Sequence, residues 1–353
     1  NYKRRRITEY IHSKMTFLSI IIPCYNVESY ILSTLESLSR LNSAEDCEFI
    51  FVNDGSTDKT LPYIQEFAKN DNRAIVINQQ NQGVSIARNV ALGKVKGQYM
   101  LCLDGDDYLH PETIHIIRNN LKDADALLAP CIVDQHNTKK TRALNIEDGI
   151  YSIEQLYTAC SIFTTAPMIV YRTSIIQENH IKFNANIKSG EVYDFTISFF
   201  EYAHTIAVTN VGFYYYVMRN SSATHRPNYN ADLSVLEIAK HFSSIPYKWS
   251  HTTSFLLTEL KMITSFTYNK YIRNGLTDKE TIHSLSSVLK NPYFQELLSM
   301  LIEKSIDFKH KLYIIYLKHM PHKLGYLLCA YLGKINKNLN NLLHPKKNSN
   351  FAD

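Results

Sequence analysis

No apolar run in this 353-residue chain reaches the ~18 residues of a membrane-spanning helix. The first residues also lack the apolar centre of a signal peptide. Both absences lead us to expect a cytoplasmic protein. Six cysteines, at 24, 47, 102, 131, 160 and 329, form no C-x-x-C pair and follow no zinc spacing. Cys24 and Cys102 lie in strand-like apolar surroundings, so buried thiols in a reducing compartment are expected. Glycine is sparse, at 11 copies. The dinucleotide fingerprint G-x-G-x-x-G is missing after the first apolar strand, and G-x-x-x-x-G-K-[ST] occurs nowhere. A nicotinamide dehydrogenase and a P-loop NTPase are thereby disfavoured. The formal charge of +5 is modest and dispersed, and no basic run is interleaved with stacking aromatics, which argues against a nucleic-acid partner.

What the chain does contain fits a globular protein with a large core. Its hydrophobic content is 45% and its charged content 20%, with 24 tyrosines and 16 phenylalanines. Residues 1–16 read as an N-terminal extension, either a short basic helix around Arg4-Arg5-Arg6 or a remnant foreign to the fold. From there strands and helices alternate. Phe17–Ile22, Glu48–Asn53, Ala74–Asn78 and Tyr99–Leu103 are apolar, strand-like runs, and Ala126–Pro130 is a candidate fifth. Between them Val27, Ile31, Leu35 and Leu38 recur at helical spacing with Asn26 as a cap, Leu61, Ile64, Phe67 and Ala68 mark a second helix, and Val84–Lys94 a third. A further helix starts near Pro111. Short strands separated by such helices imply an α/β fold with a mostly parallel sheet flanked by helices.

Ligands bind outside the carboxyl ends of the strands in such sheets. The polar clusters of this chain occupy that edge: Cys24-Tyr25-Asn26, Asp54-Gly55-Ser56-Thr57-Asp58, Gln79–Ser85 and Asp104–Asp107. Three carboxylates in four positions, at Asp104, Asp106 and Asp107, repel one another unless a cation neutralises them. Oxygen ligands of this kind suit Mg²⁺ or Mn²⁺ shared with a substrate phosphate. Plainer readings stand beside this. The run is otherwise a solvated turn, Thr57 and Asp58 cap the following helix, Gly83 serves a backbone requirement, and Arg88 pairs with a carboxylate on a helix surface.

Ile21–Asn26, Val52–Asp58, Asn81–Ser85 with Ala87-Arg88-Asn89, and Leu103–Asp107 together resemble the ordered motifs of family 2 glycosyltransferases. The resemblance is strong over 17 to about 120 and weaker to about 225. It implies an inverting, metal-dependent enzyme of the GT-A fold that moves a sugar from a UDP-sugar to a hydroxyl of a cell-surface glycan or lipid-linked acceptor. It further implies that Asp54 accepts the N3–H of uracil, that Pro23, Tyr25, Asn26 and Glu28 border the base and ribose, and that Gly83, Arg88 and Asn89 lie at the nucleotide. Asp104 would lie near the ribose and Asp106 would hold Mn²⁺ or Mg²⁺, with Asp107 beside it. Domains implied are 17–228 for the transferase, with a nucleotide-binding half 17–125 and an acceptor half 126–228, then a helical region 229–353.

Inversion requires a carboxylate that takes the acceptor proton. The family places it in a Gly-Glu-Asp-x-x-Phe segment, matched here by Gly190-Glu191-Val192-Tyr193-Asp194-Phe195. Val192 holds the usual aspartate position and cannot accept a proton, which leaves Glu191 and Asp194. On a helix those two would share a face. The alternative is a non-catalytic sugar-nucleotide-binding or assembly subunit that has lost its base. Ala166–Arg172 resembles an acceptor-side strand and Val211–Val217 a strand leading into a loop where Arg219 would reach the diphosphate and His225 would complete the metal shell. The C-terminal segment 308–347 has eight lysines and no carboxylate. Leu324, Leu327, Leu328, Tyr331, Leu332 and Ile335 form one helical stripe there, suited to peripheral membrane contact, to the core, or to an oligomer interface.

Overall fold

The computed structural model describes residues 16–135, 138–144, 146–159, 168–218, 229–245, 260, 263, 287–288 and 290–304. The chain divides into two compact units, 1–220 and 221–353. In the first, strands β1 (Leu18–Cys24), β2 (Cys47–Asp54), β3 (Ala74–Gln79) and β4 (Tyr99–Cys102) pair in parallel in the order β3-β2-β1-β4. β1 and β2 are buried almost throughout because both of their faces are covered. Phe49 and Phe51 are fully buried, each contributing about 1.5–3 kcal/mol by leaving water. The sheet continues through β10 (Met168–Arg172), β6 (Ala126–Ala129), β11 (Thr205–Val208) and β9 (Gly149–Ser152). β10 runs antiparallel to both β4 and β6, so the eight-stranded sheet is mixed rather than uniformly parallel.

Four helices lie among the strands of residues 18–129: α1 (Ile31–Ser39), α2 (Thr60–Asn70), α3 (Val84–Leu92) and α4 (Thr113–Leu121). α1 buries Ile31, Leu35 and Leu38 on the core, which is the stripe their spacing implies. The helix does not begin at Asn26, however. Asn26 has φ 50, and its side-chain oxygen accepts the Thr57 N–H at 2.8 Å. The chain therefore turns once more, with Ile31 N–H on the Val27 carbonyl at 2.9 Å, before helix forms.

A second sheet of four strands, in the order β5-β12-β7-β8, contains β5 (Tyr108–Leu109), β7 (Cys131–Gln135), β8 (Thr138–Thr141) and β12 (Tyr214–Val217). β5 follows the acidic run at once, and β12 pairs with β5 and β7. Helices α5 (Ile153–Ala159), α6 (Thr173–Glu178) and α7 (Glu191–Phe200) complete this unit among the described residues. In the second unit, α8 (Tyr229–Ser244) and α9 (Pro292–Glu303) pack on each other, and the Tyr293 hydroxyl donates to the Ala239 carbonyl at 3.1 Å. Asn291 caps α9 by accepting from Tyr293 N–H, with Pro292 at the first helical position. No described helix is long and apolar enough to cross a membrane. The lysine-rich segment 308–347 lies outside the described residues.

Candidate active site

The loops after β1 and β2 hold each other through paired side-chain to backbone bonds. Asn26 N–H donates to Ser56 Oγ at 3.1 Å and Val27 N–H to Thr60 Oγ1 at 2.9 Å. Glu28 N–H donates to Asp58 Oδ2 at 3.1 Å, while Glu28 Oε2 accepts the Lys59 N–H at 2.8 Å. Asp58 also accepts from Thr60 N–H at 3.0 Å, so it does meet the start of α2. Pro23 lies within β1, one residue before its end, and Tyr25 stands half out of the surface, 50% exposed.

Asp54, at the end of β2, is buried and organises the next loop. Its Oδ1 accepts from Gln79 Nε2 at 2.7 Å and Gln82 N–H at 2.9 Å, and its Oδ2 from Gly83 N–H at 2.8 Å. Gly83 caps α3 at φ 93, a left-handed conformation that favours glycine, although a Cβ there would meet nothing within 4 Å. Its identity is thus a backbone requirement.

The acidic run folds as a turn closed by Asp107 N–H on the Asp104 carbonyl at 3.0 Å. Thr34 of α1 donates to the Gly105 and Asp107 carbonyls from below, at 3.1 and 2.7 Å. From the second sheet, the Tyr214 hydroxyl donates to Asp107 Oδ2 at 2.7 Å and accepts the Asp104 N–H at 3.1 Å, and Val217 N–H donates to Asp107 Oδ1 at 2.8 Å. Carboxylate oxygens of Asp104, Asp106 and Asp107 then lie within 4.8 Å of one another. Burial first, and the Asp104 charge second, push the Asp107 carboxyl up to about 8 against the pull of the Val217 and Tyr214 bonds. Three hard oxygens, one of them unwilling to ionise without a nearby positive charge, fit a divalent cation such as Mg²⁺ or Mn²⁺.

Arg88 and Asn89 lie together on α3. Arg88 is 3% exposed, and its NH2 donates to Asp104 Oδ1 and its NH1 to Glu191 Oε1, both at 2.7 Å. Its guanidinium lies over the Phe183 ring, 5.3 Å from the centroid. Asn89 exchanges two bonds with Phe183, donating to its carbonyl and accepting its N–H, both at 2.8 Å. Both side chains thus reach the 183–191 segment, Arg88 as a buried bridge rather than a surface ion pair.

Glu191 opens α7 after Gly190, whose φ of 84 turns the chain into the helix. Its side chain is 16% exposed, and Oε2 is engaged by no described residue. Asp194 is 5% exposed within the same first turn. Val192, between them, uses its carbonyl to accept from Thr196 Oγ1 at 2.7 Å. Arg219 and His225 lie outside the described residues. The side chains that the motifs do not announce are Thr34 and Tyr214, which hold the acidic turn from opposite sides. Strand alternation places Tyr214 and Tyr216 on one face of β12, and that is the only sign in the sequence pointing to Tyr214.

A mixed sheet flanked by helices, with a carboxylate cluster at the end of β4, defines the GT-A class of fold. Residues 19–179 match the family model for glycosyl transferase family 2. It is 31% identical over 218 residues to the poly(ribitol-phosphate) beta-N-acetylglucosaminyltransferase TarS of Staphylococcus aureus, covering 58% of this chain and 36% of that protein. It is 29% identical over 214 residues to the teichoic acid poly(glycerol phosphate) polymerase of Staphylococcus epidermidis, covering 57% and 28%. The chain therefore spans about a third of the length of these curated relatives. The fold is similar to that of residues 1–349 of S. aureus TarS solved with UDP-GlcNAc, with a TM-score of 0.70 at 20% identity over 91% of this chain and 92% of that one.

Proposed function

We propose that the chain transfers a sugar, with inversion, from a UDP-sugar to a hydroxyl of a surface glycan, a glycolipid precursor or a teichoic-acid-like polymer. The observation that carries this is the cluster of Asp104, Asp106 and Asp107 beside Glu191, joined through one buried arginine. The relatives named above, which act on polyol-phosphate polymers by their names, support the acceptor class. Asp54 remains the candidate for the uracil N3–H, through the acceptor capacity left on Oδ2, and exposed Tyr25 with Pro23, Asn26 and Glu28 would border the base.

Asp104 and Asp106, with Asp107 behind them, would hold Mn²⁺ or Mg²⁺. Such a cation, when bound, neutralises charge on the departing diphosphate. Glu191 Oε2 takes the proton of the acceptor hydroxyl as its oxygen bonds to the anomeric carbon, and the bond from that carbon to phosphate breaks with its electron pair on UDP. Asp194 is the less favoured base because it is buried within α7. Arg219 at the diphosphate, His225 at the metal, and membrane or oligomer contact through 308–347 extend the same proposal.

Val192 supports a second reading, a sugar-nucleotide-binding subunit without turnover. Release of UDP from a panel of UDP-sugars with Mn²⁺ and polyol-phosphate or glycan acceptors separates the two. Turnover that falls by about 10²–10⁴-fold in Glu191→Gln supports the enzyme. Binding of UDP and Mn²⁺ by wild type with no turnover supports the second reading.

A further inference from the structure

Arg88 gives one nitrogen to each of two carboxylates that belong to opposite halves of the site. NH2 holds Asp104 and NH1 holds Glu191, each at 2.7 Å and each through a single oxygen. The guanidinium is 3% exposed, and its Nε has no hydrogen-bond partner among the described residues. Phe183 lies against it and stacks on Phe195 of α7, with centroids 4.1 Å apart and planes 8° from parallel. Asn89 fixes the Phe183 backbone in both directions. Two consecutive residues of α3 therefore grip the acceptor-side segment, one by charge and one by amide.

We propose that Arg88 is a positioning residue that sets the Glu191 carboxylate against the acidic turn, and that it does not itself bind the donor. Resting on the reading of Glu191 as base, this assigns the fork of the guanidinium a catalytic consequence. A planar fork reaches two carboxylates at once, whereas a lysine ammonium on one stem serves as a point charge. Burial leaves Arg88 no solvent route to compensate for a lost partner. Glu191 keeps Oε2 clear of described partners, so the bridge orients the carboxylate without occupying the oxygen that would take the proton.

Arg88→Lys is the informative variant because it keeps the charge and loses the fork. With Mn²⁺ present, kcat should fall about 10–100-fold, as small misplacements of a reacting group do. The Kd for UDP with Mn²⁺, read by calorimetry, should stay within about threefold, since Arg88 makes no donor contact of its own and the lysine charge still faces Asp104. The double variant Arg88→Lys, Glu191→Gln should be no slower than Glu191→Gln alone by more than about threefold, because the turnover lost in Arg88→Lys is carried by the bond to Glu191 while the lysine charge still faces Asp104. The same cycle read as thermal unfolding needs no turnover, and its shifts should likewise fail to add.

Loss of UDP and Mn²⁺ affinity in parallel with kcat would make Arg88 a donor-site residue and overturn the proposal. Additive losses in either cycle would overturn it too, as would a wild-type kcat in Arg88→Lys. A wild type that binds UDP and Mn²⁺ yet releases no product defeats the transferase reading instead, and the thermal cycle still decides the bridge.

Discussion

Gly105 sits where a side chain has no room. A Cβ there would stand 2.8 Å from Cys24 Sγ and 3.1 Å from the Pro23 carbonyl oxygen, so the acidic turn lies directly on the end of β1. Gly105→Ala should cost about 1–3 kcal/mol, as overpacking does, and weaken Mn²⁺ binding by pushing the turn off its seat. Chemical denaturation and a Mn²⁺ titration check both parts. Asp107 makes a prediction of opposite character. Its carboxyl is raised from 3.8 to about 8 by burial and by Asp104, so the folded metal-free protein holds a proton that the unfolded chain releases. Stability is then full below about pH 4 on this account and declines as pH rises to about 8, by up to about 1.4 kcal/mol per unit. Denaturation midpoints measured with a chelator should follow that slope in wild type and flatten in Asp107→Asn. A slope unchanged by the substitution would assign it to other groups.

Among the elements, those that bury an unbroken apolar run were legible. β1, β2 and β4 announce themselves because both faces meet the core, and the polar residues at their ends mark the edge where ligands bind. The second sheet was not legible. β5 has two residues and β8 reads Thr138-Lys139-Lys140-Thr141, so both exist through pairing with β12 and β7 rather than through any pattern of their own. Asn26 looked like a helix cap because its chemistry suits one, yet the same oxygen was used by Thr57 in the neighbouring loop. Arg88 was hardest to place, since a charged side chain on a helix gives no local sign that it will be buried. Asn89 shows what that helix does. Asn89→Ala removes two 2.8 Å bonds to Phe183 and leaves a backbone N–H and a carbonyl without that partner. A loss of about 1–3 kcal/mol is expected, with faster amide exchange near Phe183. Unchanged exchange there would mean the clamp is dispensable.

At the scale of the whole molecule, the described site residues come from β1, β2, the loop after β3, the turn after β4 and the start of α7, all within the first compact unit. They are far apart in sequence and joined by the sheet, so a ligand that engages them should protect them together. Hydrogen exchange with saturating UDP and Mn²⁺ should slow in 24–28, 54–58, 79–83 and 103–107 as one set. At a ligand concentration of about 100 times Kd the linked stabilisation is about 2.7 kcal/mol, which corresponds to about 100-fold slower exchange where opening exposes the site. A chelator should reverse the effect at 103–107 most strongly, because on the proposed reading a cation would hold the diphosphate to that turn. UDP alone should leave only the protection that the base and ribose provide near 24–28 and 54–58. Protection confined to a single loop, or equal with and without chelator, would show that the strand ends do not act on one diphosphate through a shared cation.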